Sequence, residues 1–133
     1  MVLLPVQRVA QLCDPFSNPW TSEAFSVEDV LLALAQQRTE PSPYSKSSQV
    51  SDWTVNRHVE RIAYLVQHGW SDPLEIDVGI PNMGFEVAWP VQDGNHRLAA
   101  AIVRGDAHIG ACVSGDIDYA LELFGVDVAE VPA

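Results

Sequence analysis

The chain is 133 residues long, 47% hydrophobic and 19% charged, the composition of one soluble domain large enough to bury a core. Its longest apolar runs fall far short of the roughly 20 residues of a membrane span, and Met1–Pro5 lacks the basic flank of a signal peptide, so no membrane association and a cytoplasmic location are expected. A net charge of −11 with a single lysine, Lys46, leaves little to neutralise a row of nucleic-acid phosphates, which argues against direct nucleic-acid binding.

Residues 2–9 read as a strand, with Pro5 pointing to a sheet edge. Asp14-Pro15 to Asn18-Pro19 is loop. Ser26 then caps a short helix with Asp29 in capping-box position, and Val27, Val30, Leu31, Leu34 and Ala35 form its apolar stripe. Residues 39–51 are a Ser/Pro-rich loop, long for a compact domain. They are no domain boundary, because 38 preceding residues are too few to fold alone; one domain, 1–133, is expected.

The best helix is 52–68. Val55, Val59, Ile62, Ala63 and Val66 share one face, Arg57 and Arg61 another, and Gly69 stands in C-cap position. Leu74–Val78 and Phe85–Trp89 alternate like half-buried strands, joined by a turn at Pro81-Asn82-Met83-Gly84. After Val91-Gln92 comes a turn at Asp93-Gly94 and a helix opening with Asn95-His96-Arg97 and running to about Arg104, ended by Gly105. Residues 107–113 read as a strand. Asp116 to Phe124 is a last helix, with Ile117, Ala120, Leu121 and Phe124 as its core face, in an acidic C-terminal segment 114–133. The isolated Cys13 and Cys112 have no CxxC spacing and read as reduced thiols.

The helix start at Asp93-Gly94-Asn95-His96-Arg97 carries the chemistry. The first amides of a helix and its positive dipole end attract anions, Gly94 would let a ligand approach the backbone, and Arg97 could grip two phosphate oxygens. Cations in a first turn oppose the dipole, so helix stability alone does not account for them. Asp93 is open to two readings, orienting a metal ion or ligand hydroxyl and capping its own helix or turn. His96 suits phosphate bonding or acid–base work, against a purely structural role. Arg57 and Arg61 are candidates to reach the same ligand from the preceding helix, against a solvated face. Glu75, Asp77 and Glu86 read as a solvated outer sheet face that could hold Mg²⁺ only as a less favoured alternative. His58, His68 and His108 show no ligand spacing and read as structural or surface residues. Trp53, Trp70 and Trp89 read as core or rim aromatics, any of which could stack on a base.

The order helix, Gly69, strand, turn, strand, Asp93-Gly94-Asn95-His96-Arg97, helix with Ala99 and Ala100, Gly105, strand resembles the ParB/sulfiredoxin-like fold over about residues 2–113. The resemblance implies an α+β domain with a small mixed sheet flanked by helices, and a nucleotide-phosphate site at Gly94, Asn95, His96 and Arg97. Its implied ligand is ATP or CTP, with Mg²⁺ as a companion ion, and its implied activity ATPase or phosphotransfer. Sulfiredoxins carry a reactive cysteine where this chain has Asn95, which excludes sulfinic-acid reduction. Kinases of this fold use an N-terminal-region glutamate as base; Glu23 and Glu28 lie in that region without a firm alignment.

A second reading is a non-enzymatic acidic effector, of the kind carried by plasmids or phages. It would use Asp106, Asp116, Asp118, Glu122, Asp127 and Glu130 to block a basic, nucleic-acid-binding protein. Residues 71–133 hold eleven acids against Arg97 and Arg104. A ParB-like nuclease is a weaker third.

Overall fold

A computed structural model describes residues 1–17, 24–42 and 54–128. Trp53, Glu23, Glu130 and most of the 39–51 loop lie outside the described residues. The fold is α+β, as expected. A four-stranded mixed sheet has the order β1-β4-β2-β3, with β1 at Val2–Pro5, β2 at Leu74–Asp77, β3 at Val91–Asp93 and β4 at His108–Ser114. Five α-helices among the described residues pack around it: α1 (Val6–Leu12), α2 (Val27–Ala35), α3 (Val55–His68), α4 (Asn95–Arg104) and α5 (Ile117–Phe124).

The N-terminal strand is shorter than expected. It pairs antiparallel with β4 at the sheet edge, from Val2 opposite Ala111 to Pro5 opposite His108. At Val6 the chain turns into α1, because Val6 and Val9 both bury and lie three residues apart, a helical spacing inside an apparently extended run. β2 and β4 run parallel and β2 and β3 antiparallel. The strand expected at Phe85–Trp89 is absent. Only Ile80 and Phe85 form an isolated bridge around the 3₁₀ turn Pro81–Met83, Phe85 is 62% exposed, and pairing with β2 falls to Val91–Asp93. Glu86 therefore does not share a sheet face with Glu75 and Asp77.

One core lies under the sheet, built from Leu4, Val9, Leu74, Ile76, Val91 and Leu98 with Ala120 and Phe124 of α5. A second lies between α2, α3 and α4, built from Val30, Ala33, Val59, Ile62, Ala63, Ala99 and Ala100. The alanines of α4 let its backbone approach α3 closely. On α2, Ser26 accepts from the Asp29 amide while the Asp29 carboxylate accepts from the Ser26 amide, the expected capping box. Its buried face, however, is Val30 and Ala33; Leu31 is 49% exposed, since α2 meets α3 along a narrower stripe than its apolar residues offer. On α5 only Ala120 and Phe124 are buried, and Ile117 and Leu121 face outward. Gly69 and Gly105 stand at the C-caps of α3 and α4.

Candidate functional site

The Asp93–Arg97 segment forms the expected strand-to-helix turn. Gly94 is the N-cap of α4 at φ 105°, and no side chain caps this helix, whereas α2, α3 and α5 each have a capping Ser, Thr or Asp. Asp93 is thus not the cap; its carboxylate pairs with Arg97 one turn later, Nη2 to Oδ2 at 3.1 Å. The space that glycine opens at position 94 is taken by the Leu74 side chain and the Arg97 guanidinium rather than left to a ligand.

The side chains of the motif have partners within the fold. Arg97 is 15% exposed and its Nη1 donates to the carbonyls of Asp72 and Pro73 at 3.0 and 2.7 Å, which ties the start of α4 to the loop entering β2. Asn95 accepts at Oδ1 from the Trp89 indole at 2.9 Å and donates at Nδ2 to the Val91 carbonyl at 3.3 Å. Trp89 is thereby a rim aromatic pinned to the turn, and Trp70 lies under the Arg104 guanidinium, 4.9 Å from its ring centroid.

His96 points into the protein. Its Nε2 lies 2.9 Å from His58 Nδ1, and both rings are buried between α3 and α4. The centroids are 5.1 Å apart with a 21° interplanar angle. That separation is the N···N distance plus one ring radius on each side, so the rings meet end to end along a hydrogen bond, not face to face. Burial pushes His58 down to about 4, with Arg57 adding to the shift. Burial also holds His96 well below the ordinary imidazole value, followed by the charges of His58, Arg61 and Arg97. Both rings are neutral at pH 7. His68 and His108 are exposed.

Arg57 and Arg61 come from α3. Arg57 Nε lies 3.6 Å from Glu40 Oε2. Arg61 Nη1 donates to the carbonyls of Glu40 and Pro41 at 3.4 and 2.9 Å and its guanidinium sits 5.2 Å from the Tyr64 centroid. Burial pulls Arg61 below the ordinary guanidinium value and Arg97 adds to that, against Tyr64 and Glu40. Arg61 stands one turn after His58 on α3 and Arg97 next to His96 on α4, so the 2.9 Å contact between the two histidines sets both arginine-bearing turns at one junction. The structure brings together Arg61, His96 and Arg97, with Arg57 beside His58; the sequence reading missed His58. The available signal was its position three residues after Val55 and four before Ile62, on the buried face of α3.

No group of three or more metal-ligating side chains occurs among the described residues, and no helix there is long and apolar enough to cross a membrane. The chain matches no family model, no curated protein and no solved structure.

Proposed function

We propose that the junction of α3 and α4 is a binding site for a phosphate-bearing ligand, a nucleotide such as ATP or CTP. The observation that carries this reading is that the His58–His96 contact sets Arg61 of α3 and Arg97 of α4 at one junction, at a helix start without a side-chain cap, in a chain of net charge −11. Like charges repel, and burial makes the repulsion stronger; their convergence is favourable once an anion lies between them. In the absence of ligand, the Asp93 carboxylate and the Glu40 and Pro41 carbonyls take the place of phosphate oxygens. A phosphate would displace Asp93 from Arg97 and accept from the first amides of α4. Asn95 shapes the turn through Trp89 and Val91, and Mg²⁺ would arrive on the nucleotide's own phosphates. The resemblance to ParB/sulfiredoxin-like domains supports the same position.

The test is calorimetric titration of ATP, CTP, GTP and ADP, with and without Mg²⁺, into the wild type, Arg61→Ala and Arg97→Ala. Micromolar binding weakened tenfold or more by each substitution supports the site. An absence of binding by every nucleotide up to millimolar concentration removes it.

One observation favours the acidic-effector reading as a second. On α5 the exposed Ile117 and Leu121 alternate with the exposed Asp118 and Glu122, an apolar and acidic face suited to a basic protein partner. Two of the expected contact residues are already employed, Asp116 as the α5 cap and Asp106 beside Arg104 at 3.5 Å. Loss of a salt-sensitive complex on Asp118→Asn/Glu122→Gln, with Arg97→Ala unaffected, would establish this reading.

A further inference from the structure

We propose that the His58–His96 hydrogen bond is an acid-sensitive latch that holds α3 against α4 and parts the two helices when both rings carry a proton. The geometry dictates this. Two imidazoles meeting end to end at 2.9 Å need one N–H and one lone pair on the line between them. The neutral pair satisfies that with complementary tautomers. A first added proton goes to an outward nitrogen and leaves the N–H···N bond in place, now charge-assisted. A second can go only to the accepting nitrogen. Two N–H groups then point at each other, and two cations lie in a seam that excludes water.

Three arginines oppose a charge on the pair. From α3, Arg57 acts on His58 and Arg61 on His96; from α4, Arg97 acts on His96. Glu40, between α2 and α3, engages Arg57 through its carboxylate and Arg61 through its backbone carbonyl. α2 presents Val30 and Ala33 to the α3–α4 seam, and β2 presents Leu74 beneath Gly94. Each arginine disfavours a protonated ring. Parting the helices would separate Arg61 from Arg97, so the phosphate site would come apart with the latch. That consequence rests on the phosphate-site reading; the latch itself does not.

The test is urea unfolding of the full chain at several pH values between about 7.5 and 5.5, with imidazole ¹⁵N shifts recorded on the folded wild type. Both latch histidines stay neutral when folded and bind protons when unfolded. The folding equilibrium constant should therefore fall by an amount approaching about a hundredfold per pH unit below the ordinary imidazole value, two protons being taken up on unfolding. His58→Asn, whose amide nitrogen replaces Nδ1, should reduce this to about tenfold, since one proton remains. His58→Asn/His96→Gln should remove the dependence. Equal steepness in the wild type and the double variant overturns the latch. So does titration of either ring at the ordinary imidazole value in the folded wild type, a readout that needs no variant to fold. Phosphate titration at pH 7.5 judges the binding reading separately, because the latch is closed there.

Discussion

Gly94 and Leu74 touch so closely that no side chain fits between them: a Cβ at position 94 would collide with Leu74 Cδ2 and stand 3.3 Å from Arg97 Cζ. The backbone there has φ 105°, open to glycine and strained for any other residue. Gly94→Ala is expected to lower stability by about 3 kcal/mol, strain and overpacking acting together. Urea unfolding at pH 7.5 checks this, and a loss below 1 kcal/mol would mean that the turn relaxes.

Asp93→Asn tests whether Arg97 is held for a phosphate or for Asp93 alone. The Asp93 side chain is 50% exposed and its pairing with Arg97 spans one helical turn, so its contribution to stability is small, about 0.5 kcal/mol or less. If a phosphate displaces this carboxylate, the substitution should tighten nucleotide binding severalfold while the melting temperature barely moves. Unchanged or weaker binding would show that Asp93 does not compete with the ligand.

Trp89→Phe removes the indole N–H that Asn95 accepts. The expected loss is about 1 kcal/mol, the usual size of one partly buried hydrogen bond. Amide exchange at the start of α4 should quicken while that of α2 stays as before, which heteronuclear NMR resolves residue by residue.

The two thiols should differ in reactivity. Cys13 has no exposed surface, and burial raises its pKa, against a smaller lowering by the Val91 backbone. Cys112 is half-buried. At about pH 8 a disulfide reagent should titrate Cys112 alone, with Cys13 appearing on addition of urea. The sign for stability follows. The unfolded chain ionises Cys13 first, so the folded state loses stability as pH rises past the ordinary thiol value. Two thiols reacting at equal rates in native buffer would contradict this placement.

Local signals carried much of the fold. Ser26 with Asp29, Gly69, Asp93-Gly94 and Gly105 each mark an element end through backbone chemistry that a few residues determine, and each marks one here. The misreadings came where a local pattern is shared by two structures. Val6 and Val9 suit a strand by type and a helix by spacing, and burial against the core decides for the helix. Phe85–Trp89 alternates, yet Val91–Asp93 takes the pairing with β2 and leaves Phe85 an isolated bridge to Ile80. The site was half legible: the helix start at 94–97 announces itself, but His58 and His96 are 38 residues apart, and only the packing of α3 on α4 makes them partners.

β4 is the keystone of the sheet, hydrogen-bonded to β1 on one side and to β2 on the other. In a chain made from its N-terminus, β1 is synthesised first and then has no strand to pair with until residues 108–114 leave the ribosome. The α2–α3 unit, closed over a short sequence distance, can form well before that. A nascent chain stopped short of β4 would therefore present Val2–Pro5 as an unpaired apolar edge, the kind of segment that chaperones hold and that pairs with other chains when they do not.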